Sequence, residues 1–196
     1  MNPRHPARPL AKLLLASLGL SLLGAGVATN LEATERRPNI VLFLADDLGY
    51  GDLQSYGSKD IKTPALDGLA AEGARFTSAY AAFPVCSPSR AALMTGRYVQ
   101  RFGPAFEDYF GAGSPGLDPA KHPTIASMLE AAGYTTGCFG KWNVSNVGQV
   151  PPNQFGFDRW VGLHLNHDFY THRVVSSGRL DMFIDGKPAD QYKGTW

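Results

Sequence analysis

The chain has 196 residues, of which 18 are Lys or Arg and 17 are Asp or Glu, for a formal net charge of +1. That length supports one domain with a proper hydrophobic core, and a charge so balanced, with no basic cluster, excludes the electrostatic footprint of a nucleic-acid-binding protein. Two cysteines, Cys86 and Cys138, are too few for a disulfide scaffold.

Residues 1–28 read as a secretory signal peptide. Arg4, Arg8 and Lys12 form a basic start, Leu13 to Val27 is apolar apart from Gly and Ser, and Gly26-Val27-Ala28 offers small residues for cleavage. The apolar run is short of the ~20 residues of a membrane span, so no stable membrane anchor is expected. The basic start holds no Arg-Arg pair and no cysteine stands near the cleavage point, against twin-arginine export and a lipidated N-terminus. The protein is expected to be exported, periplasmic or secreted. Removing these residues takes away three basic side chains and no acidic ones, which leaves 15 against 17 and a net charge of −2. In an oxidising compartment Cys86 and Cys138 could pair.

In chain order, Asn39 to Ala45 after Pro38 is a near-continuous apolar run, read as a strand buried on both faces. It ends in Asp46-Asp47. Thr63-Pro64 opens a helix through Leu66, Leu69 and Ala70 that Gly73 can close. Arg75 to Tyr80 is a plausible second strand. A helix then starts at Cys86-Ser87-Pro88-Ser89-Arg90, with Ser87 as N-cap, Pro88 in the first position and Gly96 as the left-handed stop. Glu107 to Asp118 is an irregular loop. His122-Pro123-Thr124 begins a helix carrying Ile125, Met128 and Leu129 on one face, ended by Ala131-Ala132-Gly133. Tyr134 to Phe139 follows as a strand and delivers Gly140-Lys141-Trp142-Asn143. Val174-Val175 and Leu180 to Ile184 suggest a hairpin or surface strands, with Asp185-Gly186 as a turn signal. Strand–helix alternation makes this an α/β layered domain.

Several residues suit chemistry, each beside a plainer reading. Cys86 stands at a helix start, where unpaired N–H groups and the helix dipole favour negative charge, and Arg90 falls in the first turn. The alternative is a buried cysteine beside an ordinary helix. Two carboxylates at the carboxyl end of a buried strand repel one another unless a hard divalent cation relieves them, though a solvated turn is the competing reading. Lys141 alone would be a solvated charge. His164, His167, His172 and Asp168 do not have a ligand spacing and read as loop or cleft residues. Trp142 and Trp160 read as core or wall, and Cys138 as a buried strand residue.

Taken together, Cys86-x-Pro88-Ser89-Arg90 with Thr95-Gly96-Arg97, Asp46-Asp47-Leu48-Gly49-Tyr50-Gly51-Asp52 and Gly140-Lys141-Trp142 resemble the type I sulfatases from about Pro38 to Asp158. Thr63 to Ala70, Glu72 to Phe76 and Gly156-Phe157-Asp158 resemble further segments of that family. The resemblance implies an alkaline-phosphatase-like three-layer α/β sandwich with a mostly parallel central sheet, incomplete in this chain, residues 29–196 being the N-terminal part of the catalytic domain. It further implies a formylglycine made from Cys86 by a formylglycine-generating or other sulfatase-maturing enzyme, and a hydrated aldehyde there that attacks the sulfur of a sulfate ester. Asp46, Asp47 and position 86 would ligate Ca²⁺, or less often Mg²⁺, while Arg90 and Lys141 would hold the sulfate.

The chain departs from the family pattern at Asn143, where a histidine is usual. An amide can orient a hydroxyl and bind substrate but is no base at neutral pH. The second pair of metal ligands and a further histidine and lysine belong to later strands in the family, so these residues alone are expected to be inactive. The rival readings are a phosphodiester or phosphonate monoester hydrolase on the same scaffold, and a non-catalytic binder of sulfated glycans.

Overall fold

The computed structural model describes residues 37–110, 114–145, 150–165, 170–189 and 191. The proposed signal peptide, His167 and Asp168 lie outside these residues. The chain divides into two units, residues 1–45 and 46–196. In the first, the described residues 37–45 form no strand, and Ile40 to Leu44 are all exposed, Phe43 by 85%. The expected buried strand is therefore not formed. A parallel strand has no internal hydrogen bonds and exists only when a neighbour supplies the ladder. None of the described strands pairs with this run.

The second unit holds the helices and the sheet. Helix α1 (Pro64–Glu72) starts as expected with proline in its first turn, and the Gly73 N–H closes it on the Leu69 carbonyl. Helix α2 (Cys86–Thr95) ends at Gly96 in the left-handed conformation, φ 64°. Helix α3 (Ile125–Ala131) opens on a reciprocal cap, in which the Thr124 and Ser127 side chains each accept the other residue's backbone N–H. Arg75 to Tyr80 form no strand, and Phe76 and Tyr80 are exposed, for the same want of a ladder partner.

Among the described residues four strands make one mixed sheet in the order β1 (Gly137–Lys141), β2 (Arg159–Leu163), β3 (Phe183–Ile184) and β4 (Lys187–Pro188). Strands β1 and β2 are parallel, with Gly140 opposite Gly162, and the two later pairings are antiparallel. A Cβ at Gly162 would collide with the Gly140 carbonyl oxygen, so this register requires glycine there. The expected turn Asp185-Gly186 joins β3 to β4 with both residues at positive φ, 48° and 78°, the pairing a two-residue hairpin favours.

The main core lies between α2 and the β1–β2 pair. Ala91 and Ala92 of α2 pack in one cluster with Trp142, Trp160, Phe110 and Phe155. Small residues on the helix let it approach the large rings closely. Trp160 is fully buried, and a ring of that size contributes roughly 2–3 kcal/mol by leaving water. This packing fixes the N-terminus of α2 against the carboxyl end of β1, which is where the chemistry-bearing residues meet.

Candidate active site

Cys86 is the first residue of α2, with Val85 as N-cap. The helix thus begins earlier than the Ser87 cap expected from sequence. Pro88 fits the third position as well as the first, because no N–H in the opening turn has a carbonyl four residues back within the helix. Ser87 is consequently free for a tertiary role. Its hydroxyl donates to Asn143 Oδ1 at 2.7 Å and accepts the Phe110 N–H at 3.1 Å. Both Ser87 and Asn143 are fully buried.

Asn143 follows β1 and continues its ladder, its N–H donating to the His164 carbonyl at 2.9 Å. Its backbone is left-handed, φ 54°, a conformation asparagine accepts more readily than most side chains. The amide Nδ2 points to Cys86 Sγ at 3.4 Å. Asn143 thus stands beside position 86, and the serine that holds it carried no such signal in the sequence.

The charged residues gather around Asp46. Lys141 Nζ lies 2.7 Å from Asp46 Oδ2, and Arg90 donates to Asp46 Oδ1 at 3.3 Å and to the Lys141 carbonyl at 2.7 Å. Arg90 stands one turn along the helix from Cys86 and on the same face. Burial pushes the Asp46 carboxyl up, but the Lys141 hydrogen bond and the charges of Lys141 and Arg90 outweigh it and hold the group below its ordinary value. Asp47 adopts φ 56°, which lets the chain curl at the point where the two carboxylates follow one another.

The three-ligand metal set expected from sequence is not assembled. Among the described residues no three carboxylate, imidazole or thiol groups come together as a metal site, and both Asp46 oxygens already face cations. Two carboxylates are suitable donors for a hard cation, and in this arrangement the oxygens of Asp46 are occupied by Lys141 and Arg90.

Around this centre the structure adds residues with no signal in the sequence. Asp181, itself buried, accepts the backbone N–H groups of His164 and Leu165 at 3.2 and 3.0 Å and so fixes the carbonyl that anchors Asn143. Burial pushes the Tyr109 phenol up, with smaller electrostatic contributions from Cys86 and Asp181. His164 and His172 are buried. Trp142 and Trp160 are core, as expected, and the Trp142 indole N–H donates to Ser145 Oγ. Cys138 lies half-buried on β1, its thiol pushed up to about 11 by burial, and both cysteines are free thiols.

The family model described as Sulfatase matches residues 38–189. The chain belongs to the sulfatase family. It is 46% identical over 153 residues to arylsulfatase A of Homo sapiens, covering 76% of this chain and 29% of that protein. With N-acetylgalactosamine-6-sulfatase of Rattus norvegicus it shares 41% identity over 162 residues, 80% of this chain and 29% of the other. The crystal structure of Ps i-CgsB superimposes with a TM-score of 0.69 at 36% identity, over 82% of this chain and 38% of that one. The chain thus spans about 29% of the length of these curated relatives. This sulfatase-family chain has the α/β sheet with covering helices that the fold leads one to expect, incomplete among its described residues. Among those residues no helix is long and apolar enough to cross a membrane.

Proposed function

We propose that the protein hydrolyses sulfate esters, aryl or carbohydrate sulfates, through a nucleophile made from Cys86. The observation that carries this reading is the meeting of Arg90 and Lys141, 51 residues apart, at one carboxylate beside the N-terminus of α2. Two fixed cations beside unpaired helix N–H groups suit an oxyanion, and they would stabilise charge on a transferring sulfuryl group. Arg90 offers a planar fork and Lys141 a compact charge, so they grip different oxygens. The names of the relatives, an arylsulfatase and an N-acetylgalactosamine-6-sulfatase, support the same substrate class.

Formylglycine at position 86, formed by a sulfatase-maturing enzyme, would supply a geminal hydroxyl nucleophile. Asp46 and Asp47 are the residues that would hold Ca²⁺ or Mg²⁺, and a cation taking Asp46 would have to displace Lys141 and Arg90 from it. That exchange would leave both side chains available to the sulfate. The basic, apolar and small-residue pattern of residues 1–28 supports export to the periplasm or outside the cell.

The test is co-production, with a formylglycine-generating enzyme, of the whole protein to which these residues would contribute the N-terminal part of the catalytic domain. Peptide mass spectrometry should find Cys86 converted, and aryl sulfate should be hydrolysed in preference to a phenyl phosphonate ester. Preference for the phosphonate, or an unmodified thiol with sulfated glycan bound but never cleaved, would overturn the reading.

A further inference from the structure

Ser87 carries one proton on its hydroxyl, and the surrounding bonds determine where that proton points. The oxygen already receives the Phe110 N–H at 3.1 Å, so the hydroxyl hydrogen goes to Asn143, 2.7 Å away. Only the amide oxygen of Asn143 can accept it. The amide is planar, so its NH₂ end is forced the other way, to the atom at position 86, where Nδ2 stands 3.4 Å from Sγ. Flipping the amide would put NH₂ where Oδ1 stands and take away the acceptor of the Ser87 proton, inside a fully buried pocket. Leaving a buried polar group unpaired is costly enough to keep one orientation dominant. The backbone is clamped as well, by the Asn143 N–H bond to the His164 carbonyl and by Asp181 behind it.

We infer that Ser87 is a positioning residue whose hydroxyl locks the Asn143 amide with its NH₂ toward position 86, making residue 143 a neutral hydrogen-bond donor and not a proton acceptor. An oxygen function at position 86 then always presents a lone pair to Asn143, so any proton it carries lies on its far side. The group that removes that proton is therefore not residue 143. The catalytic meaning of the lock rests on the sulfatase reading, whereas the lock itself does not.

The experiment follows hydrogen exchange of the Asn143 side-chain amide by NMR with isotope-labelled asparagine, alongside kcat and KM for an aryl sulfate. Exchange should be slow in the wild type, at least about tenfold faster in Ser87→Ala, and slow again in Ser87→Thr, which keeps the hydroxyl. In the matured protein Ser87→Ala should lower kcat about tenfold with KM nearly unchanged, and Ser87→Thr should restore it. Asn143→Asp keeps an acceptor for Ser87 but has no NH₂, and kcat should fall about a hundredfold. Equal amide exchange in Ser87→Ala and wild type would overturn the lock, as would full kcat in Asn143→Asp. A slow-exchanging amide in a protein that releases no sulfate would support the lock while counting against the sulfatase reading.

Discussion

Around position 86, Arg90 and Lys141 converge on an Asp46 side chain that is 36% exposed, whereas Ser87 and Asn143 meet in a pocket closed to water. The charged group is an ion-pair cluster whose partners, on the proposed reading, would be exchanged: its carboxylate taken by another cation and its two cations by an anion. The neutral group has no such freedom, because every hydrogen bond in it has one permitted direction. Screening by water keeps the first weak as a contributor to folding. Exclusion of water makes the second expensive to disturb. The difference separates binding, which needs charges that can change partner, from orientation, which needs groups that cannot.

The largest expected effect breaks the charged side. Lys141→Met should lower kcat/KM for an aryl sulfate by about a thousandfold, since a cation aimed at developing charge is lost. Stability in urea should change by less than about 1 kcal/mol, because Asp46, 36% exposed, still reaches water and keeps Arg90 as a partner when the buried Lys141 head group is replaced by an apolar one. On the neutral side the sign of the contrast reverses. Asn143→Leu should destabilise the fold by about 3–4 kcal/mol, combining a left-handed backbone unsuited to leucine with an orphaned Ser87 hydroxyl. Urea unfolding measures this directly. Equal stability losses in the two variants would erase the distinction.

How far this arrangement was legible follows the range of the interactions. Helix starts and stops are local, so Thr124, Gly96 and the proline at the start of α1 were read correctly from the residues themselves. The hairpin turn at Asp185-Gly186 was legible for the same reason. The apolar run at Ile40 to Leu44 and the segment at Phe76 were not, because composition announces a strand while only a neighbour can form one. The charged residues at 46, 90 and 141 were found through motifs whose spacing carries the family resemblance. Ser87 was misread as a cap because a serine before proline has a local role available, and no local signal shows a partner 56 residues away. Asp181 and Tyr109 had no motif at all.

A smaller effect sharpens the contrast through His164, whose ring packs edge-on against Trp160 and Phe183. Burial, with a minor contribution from the Arg179 charge, holds its pKa down to about 4. The unfolded chain takes up a proton near pH 6.5 that the folded chain refuses until about 4, so the stability contributed is present above ~6.5 and lost as pH falls toward 4. Between pH 7 and pH 5 the wild type should lose about 2 kcal/mol on this account. His164→Phe should flatten that part of the pH–stability curve, measured by urea unfolding at both values. An unchanged slope would mean that the imidazole is accessible to protons in the folded state.

The smallest effect lies at a charge pair far simpler than the one at Asp46. Arg159 and Asp185 are 2.8 Å apart, yet the Arg159 side chain is 63% exposed. Asp185 also accepts the Trp160 N–H at 2.7 Å, and that backbone bond comes first among the causes that hold its carboxyl low. Arg159→Ala should therefore leave the urea midpoint within measurement error, since an exposed arginine loses as much in ordering as it gains in attraction. Asp185→Ala should shift the midpoint visibly, because it removes both the acceptor for Trp160 and a residue suited to the left-handed turn. A larger loss from the arginine than from the aspartate would show that charge, rather than direction of hydrogen bonding, holds this edge of the sheet.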